Sequence, residues 1–323
     1  MSIETTFYGG FPRGKNFISL YSKFLKNDIS REEFYKKTEA IVLRLIRKLS
    51  KYDVKIGTDG IFIWDDIFAP FSKALSSVEA NGLYRFFDNN FYLRIPVVKG
   101  KISYEKCITC DWYRRIINRI KEKRIEYTLR AVLPGYALFA FYSDDKYYND
   151  KTRMLRDFHK VLLEEIESLR RIGIEDIELH DPALPCKEIP SKISEKSIDL
   201  YKSLDKQLIS KVWVITYFRY SYFDRLESLI KDTNFIIHID LVENSTIMDN
   251  LLSLMDGGTL SLGIVDARNT KLEKVRQLKT IIEKFREKVD KIYIAPNTFM
   301  EFIPERIAYR KVRILSNLSR KYR

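Results

Sequence analysis

Short apolar runs recur along the chain, separated by longer segments in which apolar residues return every three or four positions. Runs at 5–8, 54–57, 129–133, 174–179, 212–216, 235–240, 260–265 and 292–295 read as eight strands. The last five are apolar along most of their length, as expected where helices cover one face and a packed interior the other. Helical spacing is clearest over 31–49, where Phe34, Ile41, Leu45 and Leu49 share a stripe. It recurs over 155–171, 222–231, 245–255, 272–289 and 304–318. Gly173 stands where a glycine ends a helix just before a strand, and Pro304 where a missing N–H costs a helix start nothing.

Strands alternating with helices imply a parallel α/β sheet, and eight such pairs at this length imply a (β/α)8 TIM barrel. The stretch between 57 and 129 is too long for one crossover. It holds a further strand-like run at 91–98 and a basic helical segment near 111–123, read as an insertion of about 80–125 at the barrel mouth after the second strand. With no repeat or low-complexity linker, residues 1–323 are expected to form one domain.

Apolar residues make up 45% of the chain, ample for a core of this size. Charged residues reach 31%, while His is used three times and Gln only at 207 and 277, a tendency of thermophile proteins. The net charge of +13 favours polyanionic partners: RNA, anionic cofactors or acidic proteins. Cys107 and Cys110 form a lone C-x-x-C without the second pair a four-ligand zinc site needs, so a structural role and a redox role both stay open. No apolar run is long enough for a membrane span and the first residues lack a leader pattern, so a cytoplasmic protein is expected.

In a barrel of this kind the chemistry sits on the loops after the strands. Read in order, these carry Gly10-Phe-Pro-Arg13, an aromatic and Asp-rich segment at 62–67, Leu133-Pro-Gly135, Leu179-His-Asp-Pro-Ala-Leu184, Thr216-Tyr-Phe218, His238-Ile-Asp-Leu-Val242 and Gly263 to Arg268-Asn269. A last helix with Ile307-Ala-Tyr-Arg-Lys311 follows. The series resembles cobalamin-independent methionine synthase over nearly the whole chain. Its Thr-Tyr-Phe, Asp-Leu-Val and Arg-Asn elements are closest to that family's amino-terminal barrel, here expected as a short stand-alone member.

The departures bear on function. The family holds zinc with His and Cys two residues apart, a Glu and a later Cys, so that the homocysteine thiol is held as the nucleophilic thiolate. The matching positions here are Tyr217, Arg219, Asp240 and Thr298. The resemblance therefore implies a degenerate zinc site, with no cofactor and no zinc expected. The family's Gly-Glu after the second strand becomes Asp59-Gly60, and its folate-tail segment falls at 18–21 without cations, with Lys15 and Lys23 nearby.

Among candidate residues, His180, Asp181 and Asp240 are the catalytic ones, and His238 shares a strand face with Asp240. A metal or acid–base site and a relic network that merely holds loops are both open. Arg13, Asp59, Arg268 and Asn269 are candidates for binding substrate or anion. Arg114, Arg115, Arg119, Lys121, Lys123 and Arg124, with Trp112, Tyr113 and Tyr127 nearby, form a candidate nucleic-acid segment. The tail adds Arg310, Lys311, Arg313, Arg320, Lys321 and Arg323. The expected function is a methionine-biosynthesis barrel acting with a zinc-bearing methionine synthase homologue and helping to bind a methyl-donor cofactor. The alternatives are an RNA- or ribonucleoprotein-binding protein on a degenerate barrel, and a self-sufficient methyltransferase with a site rebuilt on His180 and Asp240. No membrane partner is expected.

Overall fold

The computed structural model describes residues 2–87, 89 and 91–322. Its strands are β1 Ser2–Thr5, β2 Ile56–Gly57, β3 Val78–Arg85, β4 Tyr92–Val98, β5 Thr128–Pro134, β6 Asp144–Asp145, β7 Asp176–His180, β8 Lys211–Ile215, β9 Ile236–Asp240, β10 Thr259–Val265 and β11 Lys291–Pro296. The α-helices are α1 Lys15–Leu25, α2 Arg31–Lys51, α3 Ala69–Ala74, α4 Cys110–Glu122, α5 Tyr136–Tyr142, α6 Lys151–Arg171, α7 Ser191–Gln207, α8 Asp224–Asp232, α9 Met248–Leu254, α10 Val275–Lys284 and α11 Glu305–Ser319. None is long and apolar enough to cross a membrane among the described residues.

Eight strands form one sheet in the order β1-β11-β10-β9-β8-β7-β5-β2. Each successive strand of this sheet is reached through at least one helix, which is the connectivity of the (β/α)8 class. The terminal strands of that order, β1 and β2, meet through a parallel bridge between Gly10 and Gly60 rather than a ladder. Side chains complete this seam: Thr6 Oγ1 donates to the Ile56 carbonyl at 2.9 Å and Thr58 Oγ1 to that of Gly9 at 2.6 Å. β3, β4 and β6 form a separate three-stranded sheet.

Contacts cluster in two compact units. The first comprises Met1–Ile63, Arg114–Arg130 and His238–Arg323. Its longest helix, α2, is set by its sequence: Ser30 accepts the Glu33 N–H at 3.1 Å, Glu32 and Glu33 lie in the first turn, and Lys48 and Lys51 lie in the last. Phe34, Thr38, Val42, Leu45, Ile46 and Leu49 form its buried stripe. The second unit comprises Trp64–Tyr113 and Ala131–Ile237. Its long helix α6 is capped by Asp150, whose side chain accepts the Thr152 N–H at 2.9 Å.

The segment between β2 and β5 holds α3, the β3–β4 hairpin and α4. The hairpin falls in the second unit, whereas most of α4 falls in the first and leads directly into β5 as the crossover helix. The strand predicted at 5–8 lies earlier, at Ser2–Thr5, because the chain leaves the β11 ladder after Thr6 while Phe7 and Tyr8 stay fully buried. Pro304 caps α11 rather than opening its first turn, and Gly173, at φ 92°, follows α6 as predicted. The sequence pattern did not predict α5, whose residues are almost all buried, so that no polar face marks a helical period.

Candidate functional site

In the second unit, β7 ends in Glu178, Leu179 and His180, all buried. Alternation turns Glu178 and His180 to one face, and His180 Nε2 lies 2.9 Å from Glu178 Oε2. The His180 ring also meets the edge of Tyr217 at 5.8 Å. Asp181 turns instead to the start of α5. Its carboxylate accepts the Ala137 and Leu138 N–H groups at 2.9 and 2.7 Å and the Tyr201 hydroxyl at 2.8 Å. This approach requires Gly135, where a Cβ would stand 2.5 Å from that of Asp181. Burial pushes the Asp181 carboxyl up to about 6, since these donors only partly offset the loss of water.

In the first unit, β9 presents His238 and Asp240 on one face, and both reach Asn297. His238 Nε2 lies 3.1 Å from the Asn297 carbonyl and Nδ1 lies 2.9 Å from Ser261 Oγ. A carbonyl only accepts, so Nε2 carries the proton and Nδ1 accepts from Ser261 in the neutral ring. Tyr8 then donates to Ser261 Oγ at 2.6 Å. Gly263 makes room for the ring, because a Cβ there would lie 2.9 Å from it and 2.6 Å from Asn297 Cα. Asp240 Oδ1 accepts the Val242 and Glu243 N–H groups, each at 3.0 Å, and Oδ2 accepts Asn297 Nδ2 at 3.1 Å.

The Gly-rich loop of the first unit already faces an anion of its own chain. A Cβ on Gly10 would overlap the Glu301 carboxylate, whose pKa burial raises against the opposing charge of Arg13. Arg13 donates to the Ile61 carbonyl at 3.0 Å, and the buried Asp59 accepts the Ile61 N–H at 3.1 Å. A cleft of about 330 Å³ opens beside this loop, lined by Phe11, Phe17, Phe62 and Tyr309 together with Lys15, Arg44 and Glu305. Arg268 pairs with Glu243 of the loop after β9 at 3.1 Å, whereas Asn269 bonds Asp266 within its own loop.

Of the positions matched to zinc ligands, Tyr217 is buried beside Phe218 at 4.8 Å, and Arg219 is exposed. Asp240 carries the three hydrogen bonds above, and the Thr298 hydroxyl is buried. No group of three or more His, Cys, Asp or Glu side chains is arranged for a metal among the described residues.

Of the basic candidates, Arg115 pairs with Glu32 and Glu39 at 2.7 and 2.8 Å, and Arg119 with Glu122 at 3.0 Å. Arg114, Lys121, Lys123 and Arg124 are exposed. A cleft of about 570 Å³ beside α2 and α4 is lined by Arg44, Arg47, Lys48, Lys51, Arg119 and Lys123, together with Ala40 and Leu43. On the tail, Arg310, Arg313, Arg320 and Lys321 are exposed, whereas Lys311 is fully buried against Glu273 at 2.7 Å and leaves the surface set. Arg323 lies outside the described residues.

Sequence reasoning passed over Arg130, which is fully buried, donates to the Thr6 hydroxyl and the Phe7 carbonyl at 2.5 and 2.6 Å, and sits 4.6 Å from the Tyr8 ring centroid. The signal was available: an arginine inside the apolar run at 129–133 has no solvent to reach.

A family model for the N-terminal domain of cobalamin-independent synthase matches residues 64–290. The chain is 24% identical over 313 residues to methionine synthase of Sulfolobus acidocaldarius, covering 96% of this chain and 89% of that one. It is 22% identical to methionine synthase of Pyrococcus furiosus, covering 96% and 90%. Its fold matches the B12-independent methionine synthase of Shewanella sp. W3-18-1 with a TM-score of 0.82 at 17% identity, covering 100% of this chain and 98% of that one. A putative vitamin-B12 independent methionine synthase from Listeria monocytogenes gives 0.76 at 17% identity, with 99% of both chains covered. The resemblance carried by the ordered loop motifs thus has its counterpart in the family match, and the chain belongs to the cobalamin-independent synthase N-terminal domain family.

Proposed function

We propose that this barrel serves methionine biosynthesis beside a zinc-bearing methionine synthase homologue, and that it does not transfer the methyl group alone. The observation that carries this reading is the donor set at the zinc-matched positions. A phenol, a guanidinium, a hydroxyl and a carboxylate already holding three hydrogen bonds do not fit Zn²⁺, which takes thiolate, imidazole and open carboxylate ligands. Without zinc at these positions, the metal that would hold homocysteine as a thiolate at neutral pH has to come from the partner. The aromatic-walled cleft, where the cations Lys15 and Arg44 outnumber Glu305, suits a flat anionic molecule, and we assign the methyl donor to it.

Homocysteine methyl transfer is the test, measured on the chain alone, on a zinc-bearing homologue from the same source, and on the mixture. Silence alone with stimulation in the mixture supports the proposal. Turnover by the isolated chain, or stoichiometric zinc bound to it, overturns it.

One observation favours a second reading, in which the chain binds RNA. The cleft beside α2 and α4 gathers six cations, and no carboxylate lines it. A ribose-phosphate strand there would release counterions, so log affinity should fall with log salt by about 0.7 per phosphate neutralised. Binding of a fluorescent homopolymer RNA that weakens on replacing Arg44, Arg47 and Lys51 with Glu would support this reading. Binding indifferent to those changes would remove the cleft from consideration.

A further inference from the structure

The C-x-x-C motif has no part in the function proposed above, and its surroundings in the second unit are specific. Cys107 and Cys110 are joined in a disulfide, with Cys107 half-buried and Cys110 only 3% exposed. Cys110 opens the 13-residue helix α4, and its backbone N–H donates to Cys107 Sγ at 3.2 Å. The accessible sulfur is therefore also the one that receives a helix N-terminal donor, the arrangement that stabilises a thiolate.

The loop is held by something other than the sulfur–sulfur bond. Glu165, fully buried on α6, accepts the Ile108 N–H at 2.7 Å, the Thr109 N–H at 2.9 Å and the Thr109 hydroxyl at 2.6 Å. The Tyr104 hydroxyl lies 3.3 Å from the Glu165 carboxylate, to which it donates, and 2.8 Å from Ser168 Oγ, which donates to it in turn. Of these five residues, Glu165 and Ser168 belong to α6, Ile108 and Thr109 lie between the cysteines and Tyr104 precedes them, so the frame survives when the sulfurs part. A cross-link between residues three apart also closes the shortest of loops, which makes it a weak staple for the fold. The remaining cysteine, Cys186, is buried with its thiol pushed up to about 12 by desolvation, and offers no competing nucleophile.

We propose that Cys107–Cys110 is a thiol–disulfide exchange site, entered at Cys107, for an external dithiol. One thiolate of the dithiol attacks Cys107 Sγ, the bond to Cys110 breaks, and Cys110 leaves as a thiolate. The second thiolate of the dithiol then attacks its own sulfur in the mixed disulfide and releases Cys107. The dithiol loses two electrons and ends as a cyclic disulfide. Its two protons pass to Cys107 and Cys110.

The test is equilibration of the full chain in mixtures of reduced and oxidised dithiothreitol, acid quenching, alkylation and peptide mass mapping. The expected result is full, reversible interconversion under native conditions, with the far-UV circular dichroism unchanged and a reduced form that melts cooperatively. In brief alkylation of the reduced wild-type chain, Cys107 should be labelled at least tenfold faster than Cys110. The variant Cys110→Ser should form a mixed disulfide with glutathione at Cys107, and Cys107→Ser should form none at Cys110. Reduction only together with unfolding, faster labelling of Cys110, or two sulfurs that never link would each overturn the proposal. The labelling of the wild-type chain decides the point even if either variant fails to fold.

Discussion

Tyr201 donates its hydroxyl hydrogen to Asp181 at 2.8 Å, and the carboxylate it meets also takes two N–H groups of α5. One acid thus binds α7 to α5, and it does so in full burial. Its folded pKa of about 6 lies above the ordinary 3.8, so the fold favours the protonated form. The stability this gives is complete below about pH 4 and is lost as pH rises through about 6, to the extent of roughly 3 kcal/mol. Asp181→Asn should remove that slope. It should also cost about 1–3 kcal/mol at pH 7, because its amide turns N–H toward an N–H. Chemical denaturation of both proteins from pH 4 to 7 checks this; parallel curves would refute it.

His159 should show the opposite slope. Burial holds its imidazole down at about 4, and Tyr136 lies 2.6 Å from Nδ1. The unfolded chain takes up the proton first, so stability is lost as pH falls from about 6.5 to about 4. His159→Gln should flatten that limb and lower stability at pH 7 by about 1 kcal/mol through the changed bond to Tyr136. Melting temperatures across this window, compared with those of Asp181→Asn, separate the two contributions.

Ser261 joins Tyr8 to His238 at 2.6 and 2.9 Å. Ser261→Ala should therefore cost about 2–3 kcal/mol, more than Tyr8→Phe at about 1 kcal/mol, because two buried groups lose the same partner. In urea titrations the double variant should fall short of the sum of the two singles. Strict additivity would show that the three groups do not act as a chain.

Lys311 is fully buried, with its ammonium 2.7 Å from a Glu273 carboxylate that also takes the Asp266 N–H at 3.0 Å. Lys311→Met should destabilise by roughly 3 kcal/mol, since it strands the carboxylate. Adding Glu273→Gln should recover part of that loss. Calorimetric melts of the two variants would show it, and no recovery would mean the ammonium matters to packing alone.

Seven of the eight barrel strands overlap their apolar runs closely because parallel strands buried on both faces carry no competing polar signal. The same logic hid α5, where burial erased the helical period, and displaced β1, where Phe7 and Tyr8 continue an apolar run beyond the ladder. The ordered loop motifs were legible as a family likeness. What each polar side chain does was not. Asp181 and Asp240 read as candidate catalysts; the remote groups that hold them, the Leu138 N–H for Asp181 and the Asn297 amide for Asp240, are invisible to local spacing. Lys311 read as surface charge because nothing local shows Glu273 lying over it.

The seam at β1 and β2 has a consequence for motion. Two glycines and two threonine hydroxyls stand where other strand pairs have successive amide ladders. Each hydroxyl can rotate away without a backbone rearrangement, so transient parting of these segments requires no unravelling of either strand. Amide protons of residues 57–61 should then exchange with deuterated solvent well before those of β10 and β11, making this seam the place where the sheet breathes.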